Sequence, residues 1–126
     1  MDFFEERKDK FRPLGEWAFR LIKKIISESN DIVFSTLTEH ELKSFFSEEQ
    51  IKAMLTLIPE QILIKIDFTK EQTKEAFRLA KRFNIPVGDA LHTVIARDNS
   101  SILITRDKHF YELASLAIIK KPEELL

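Results

Sequence analysis

The chain has 126 residues, 44% hydrophobic and 33% charged, with a formal net charge of −1. That balance suits one soluble domain spanning residues 1–126, and it excludes a disordered, fibrous or globally basic polypeptide. Cysteine is absent and the only glycines are Gly15 and Gly88, which removes thiol catalysis, cysteine zinc sites, disulfides and glycine-rich phosphate loops.

The N-terminus, "MDFFEERKDK", is charged where an export signal is apolar, and no apolar run reaches the length of a membrane span. A cytoplasmic protein with no membrane contact is expected. Leu14, Trp17, Ala18, Leu21, Ile22, Ile25 and Ile26 follow the rhythm of an amphipathic helix opened near Pro13. "SND" breaks it, and "IVFS" reads as a short buried parallel strand. "STLTEHELKSFF" restarts a helix at Thr38, and "SEEQIKAMLTLI" begins another at Ser47 that Pro59 stops. "QILIKI" is a strand rich in β-branched residues. Thr69 caps a long helix through Phe83, with Gln72 completing a capping box; Asn84 ends it and Pro86 bars its continuation. Gly88 to Arg97 reads as a buried helix, "SILIT" as a strand, "DKHFYEL" as a short helix and "LAIIK" as a last strand. Helix and strand alternate without a tight hairpin signal, which predicts an α/β fold with a parallel sheet.

In parallel sheets ligands gather beyond the carboxyl ends of the strands. Three acids map to that edge. Glu41 is expected in the first turn after "IVFS", Asp89 opens the helix after "NIPVG", and Asp107 follows "SILIT". Each also has a local explanation: Thr38 and Glu41 form a T-x-x-E box, Asp89 complements a helix dipole, and Asp107 caps the next helix. Their shared edge is what capping leaves unexplained. Clustered carboxylates need a cation, and oxygen-only ligands select Mg²⁺ or Mn²⁺, ions that support attack of water on a phosphodiester. His92 lies one turn after Asp89 but fits a packed role; His109 fits a helix start, His40 points to solvent, and no H-x-x-x-H zinc pattern occurs. Arg78, Lys81 and Arg82, and also Lys120 and Lys121, read as solvated surface. Arg106 and Lys108 flank Asp107 and are the candidates for phosphate contact.

These segments resemble the PIN-domain ribonucleases, the group that includes the VapC toxins of toxin–antitoxin pairs. "TEHEL" resembles the family's acidic helix start at Glu41, "GDALHTVIA" its second acidic segment at Asp89, and "ILITRDKHF" its third at Asp107, preceded by the usual hydroxyl residue, Thr105. The likeness runs from Ile32 to Ile119. It implies a parallel sheet sandwiched by helices in three α/β/α layers and a metal-dependent endoribonuclease. Glu41, Asp89 and Asp107 would be metal ligands and catalytic, with Thr105, Arg106 and Lys108 toward substrate. RNA would be the substrate, an antitoxin the protein partner, and a homodimer the assembly.

One departure stands. The family opens with a central strand that ends in aspartate, whereas "MDFFEERKDK" resembles the segment after it, so Asp2 is not assigned that role. Either the start is truncated or misassigned, or the sheet lacks its first central strand and the metal set its first acid. A non-catalytic module of the same fold, binding RNA or a protein, is the alternative. A response-regulator-like receiver fits poorly, because its acid pair and lysine are not at the corresponding strand ends.

Overall fold

Side-chain caps set the starts of three helices in the computed structural model, which describes residues 16–125 except Ser29 and Arg106; the side chains of residues 16–19, 108, 109, 122 and 123 lie outside the description. The expectations about the first strand and Asp2 fall on residues that lie outside it too. The chain divides into two compact units, one ending at Ile66 and the other formed by Asp67–Leu125.

In the first unit, α1 (Glu16–Ser27) precedes β1 (Ile32–Ser35), α2 (Thr36–Leu42), α3 (Glu48–Leu55), a 3₁₀ turn (Glu60–Ile62) and β2 (Leu63–Ile66). β1 and β2 pair in parallel, from Ile32 opposite Leu63 to Ser35 opposite Ile66. The predicted start of α2 at Thr38 is two residues late. Ser35, extended and buried, is the N-cap: its Oγ accepts the Thr38 amide at 3.1 Å. Thr38 is thus the third helical residue and cannot itself be the cap. The start of α3 matches its prediction, with Ser47 and Gln50 closing a reciprocal capping box. Leu21, Ile51, Met54, Leu57 and Ile58 are buried in this unit.

The second unit comprises α4 (Lys70–Phe83), α5 (Val87–Asp98), β3 (Ile102–Ile104), a 3₁₀ helix (Lys108–Leu113), β4 (Ile118–Lys120) and α6 (Pro122–Leu125). Thr69 and Gln72 form the predicted capping box at the start of α4. Asn84 ends it in the left-handed region, with φ 54°, and its amide bonds to Ala80 O. β3 and β4 pair in parallel, Ile102 opposite Ile118. The alternation and the parallel pairing are those of an α/β fold, as predicted. Strand pairing among the described residues stays within each unit, as two pairs rather than one sheet.

The core of the second unit forms where α4 packs on α5, and α5 in turn on β3 and the 3₁₀ helix. Ala76, Leu79 and Ala80 of α4 are buried, as are Ala90, Leu91, Thr93, Val94, Ile95 and Ala96 of α5, with Phe110 and Leu113 from the 3₁₀ helix. Small side chains let two helices approach closely, and Ala76 and Ala90 retain no exposed surface.

A polar chain bolts the same helix pair at its edge. Arg97 of α5 forms a bidentate pair with Glu75 of α4, Nη2 lying 2.7 Å from Oε1. Arg97 Nε donates to Asp98 at 2.9 Å, and Asp98 also accepts Gln72 Nε2 at 2.9 Å. The capping residue of α4 is thereby tied to the end of α5. The hydrogen bond from Arg97 holds the Glu75 carboxyl below its ordinary range. Gln72, then Arg97, does the same for Asp98.

Two predictions follow from these contacts. A carboxyl depressed in the folded state contributes stability at pH values above its unfolded pKa and loses that contribution as pH falls through the folded value. Arg97→Met is therefore expected to lower stability by about 1 kcal/mol at neutral pH. The deficit should shrink as pH falls below the ordinary carboxylate range and through the depressed folded values of Glu75 and Asp98. Urea unfolding across the pH series checks this. At the end of α4, Asn84→Ala is expected to cost about 1 kcal/mol while Asn84→Gly is nearly neutral, because only the alanine methyl opposes the left-handed backbone.

Candidate functional site

Asp89 is the third residue of α5, whose N-cap, Pro86, offers no side-chain hydrogen bond. It is half-buried, and its carbonyl accepts Thr93 Oγ1 at 3.0 Å, a bond that stiffens the first turn. Pro86 starts this helix because its fixed φ suits the entry and it has no N–H to leave unpaired.

Asp107 stands between β3 and the 3₁₀ helix, and its backbone is fixed from both sides. Thr105 continues the ladder beyond β3 by donating its amide to Lys120 O at 3.0 Å. Its Oγ1 then accepts the Asp107 amide at 3.0 Å. On the other side, Asp107 O accepts the Phe110 amide at 3.3 Å, and the buried Phe110 ring anchors the turn in the core. The carboxylate itself belongs to an exposed residue. Backbone order is thus combined with side-chain access.

Asp89 and Asp107 belong to the same unit, in which α5 packs on β3 and on the 3₁₀ helix that follows Asp107. α5 runs away from Asp89, the chain reverses over residues 99–101, and β3 runs back along the helix it packs against. From Asp89 to Asp98 the helix advances about 14 Å at 1.5 Å per residue.

Glu41 is placed differently from expectation. Because Ser35 caps α2, Glu41 falls in the last turn of that helix, exposed, rather than in its first turn. It belongs to the first unit, Asp89 and Asp107 to the second. Among the described residues no group of three or more His, Cys, Asp or Glu could hold a metal ion. Arg106 lies outside the described residues. Lys108 opens the 3₁₀ helix, but its side chain is outside the description, as is that of His109. His92 is half-buried on α5, and His40 is exposed on α2.

The donor set can nevertheless be tested against a metal. Two carboxylates on rigid backbone, with no thiol anywhere in the chain, are hard oxygen donors. They fit Mg²⁺ or Mn²⁺, ions that keep several waters and use one or two carboxylates together with a substrate phosphate. The Arg97–Glu75 pair was not visible in the sequence: its partners are 22 residues apart, and no local pattern joins them.

Comparison with known proteins gives one match. The PIN domain family model fits residues 11–116. No curated protein and no solved structure matches the chain.

The Thr105 hydroxyl is expected to hold the Asp107 backbone measurably. Thr105→Val should speed amide hydrogen exchange at Asp107 by roughly 5- to 10-fold, the equivalent of one net hydrogen bond. Exchange at Val94, deep in α5, should be unchanged.

Proposed function

The chain belongs to the PIN-domain family, and from that premise we propose that it is a metal-dependent endoribonuclease hydrolysing RNA phosphodiester bonds. PIN domains are generally nucleases that use divalent metals. What supports the reading for this chain is that Asp89 and Asp107 belong to one unit, with the Asp107 backbone held between Thr105 and Phe110.

In this reading Asp89 and Asp107 hold Mg²⁺ or Mn²⁺. Such an ion supplies charge neutralisation at a phosphoryl oxygen and an acidified water when bound. Thr105 keeps Asp107 in place by accepting its amide, so that the carboxylate needs no reorganisation on binding. Arg106 and Lys108, flanking Asp107 in sequence, would take substrate phosphates. No side-chain nucleophile is required. The likeness of "GDALHTVIA" and "ILITRDKHF" to VapC-type toxins supports a role in a toxin–antitoxin pair.

A second reading, a non-catalytic module that binds RNA or protein, draws on the finding that, among the described residues, no group of three or more His, Cys, Asp or Glu could hold a metal ion. Cleavage of single-stranded RNA separates the two. The enzyme is expected to cut in Mn²⁺ and to stop in EDTA. Asp89→Asn and Asp107→Asn should each lower the rate by about 100-fold or more, and Thr105→Val by about 10-fold, the scale on which ligands and their supporting contacts act. Glu41→Gln tests the third expected ligand in the same assay. EDTA-resistant cleavage, or Asp89→Asn at the wild-type rate, would sink the proposal.

A further inference from the structure

The outer face of α4 carries an arrangement that neither the core nor the acidic site uses. At 100° per residue, Lys70, Lys74, Phe77 and Lys81 fall within a stripe about 60° wide and about 17 Å long. All four are exposed, and Phe77 keeps 59% of its surface in solvent. No ion pair among the described residues engages Lys70, Lys74 or Lys81.

The helix holds five cations, with Arg78 and Arg82 flanking the stripe, against two carboxylates. One of these, Glu75, is already held by Arg97, so the other, Glu71 on the flank, is the only remaining acid of α4. The chain as a whole carries −1, so this helix is a basic island rather than a sample of the average surface. Its first turn borders an open hollow lined by Phe68, Thr69, Lys70, Thr73 and Lys74.

A lone exposed phenylalanine needs no explanation, and a run of lysines is usually just solvated. Their interleaving is different. Lysines along a line serve as point charges for successive phosphates, and an aromatic face between them offers a stacking surface that tolerates any base. An acidic peptide would use the lysines and gain nothing from the ring as a flat platform.

We propose that the Lys70–Lys74–Phe77–Lys81 face of α4 is a docking strip for single-stranded RNA: the lysines hold its phosphates and a base stacks on Phe77. The strip is argued from its own charge and shape, and it rests on the nuclease reading only for the choice of RNA.

The test is fluorescence anisotropy of a short labelled oligouridylate with the full chain, in EDTA, over a series of KCl concentrations. Replacing all three lysines with alanine should weaken binding at least about 10-fold. It should also flatten the slope of log K against log salt by about 2, at roughly 0.7 per phosphate contact on a single strand. Phe77→Ala should weaken binding roughly 5- to 100-fold with the slope unchanged, since stacking releases no counterion. All these positions are exposed, so unchanged thermal unfolding shows that the variants are folded.

A triple variant with wild-type affinity and slope overturns the strip. Polyglutamate or phosphatidylserine vesicles binding the wild type as tightly as the oligonucleotide also overturn it, assigning the face to an acidic protein or a membrane surface. EDTA keeps cleavage out of the measurement. Failure here leaves the Asp89–Asp107 reading standing, and failure of the cleavage assay leaves the strip standing.

Discussion

The second unit depends on the close seating of α4 against α5. Ala76 and Ala90 are fully buried, and the Arg97–Glu75 and Gln72–Asp98 contacts fasten the pair along its edge. An apolar contact alone leaves two helices free to slide by a turn at small cost. A bidentate guanidinium–carboxylate pair does not, because its two parallel hydrogen bonds accept one geometry. That fixed seating decides which faces of the two helices remain. α5 presents its first turn, with Asp89, at one end, and α4 turns its lysines and Phe77 to solvent.

β3 and the turn beyond it set the Asp107 backbone. Ladder bonding reaches Thr105, the threonine hydroxyl takes the Asp107 amide, and the chain turns into a 3₁₀ helix anchored by Phe110. Each of these steps is a backbone contact.

Much of this was legible in the sequence because local chemistry dictates it. Thr69 with Gln72, Asn84 and the apolar rhythm of α5 each mark a boundary that the structure keeps. Asp89 and Asp107 could be placed for the same reason, one at a helix start and one past a strand. Glu41 could not. "T-x-x-E" is a valid box in isolation, but Ser35, three residues earlier, reaches the Thr38 amide first and moves the helix start by two residues. A serine at the close of an apolar run reads as the end of a strand, and nothing local reveals its second role. The strand partners and the Arg97–Glu75 pair are products of tertiary placement, to which periodicity is blind.

Ser35 has a wider consequence. It is the final rung of the β1–β2 ladder, opposite Ile66, and also the residue on which α2 is hung. There is no connecting loop to absorb an error. A slip of β1 along β2 would carry the helix with it, and an inserted residue at this junction would detach either the ladder or the helix start. Strand alignment and helix onset therefore behave as a single mechanical joint, so sequence length here is far less forgiving than at the surface turns elsewhere in the chain.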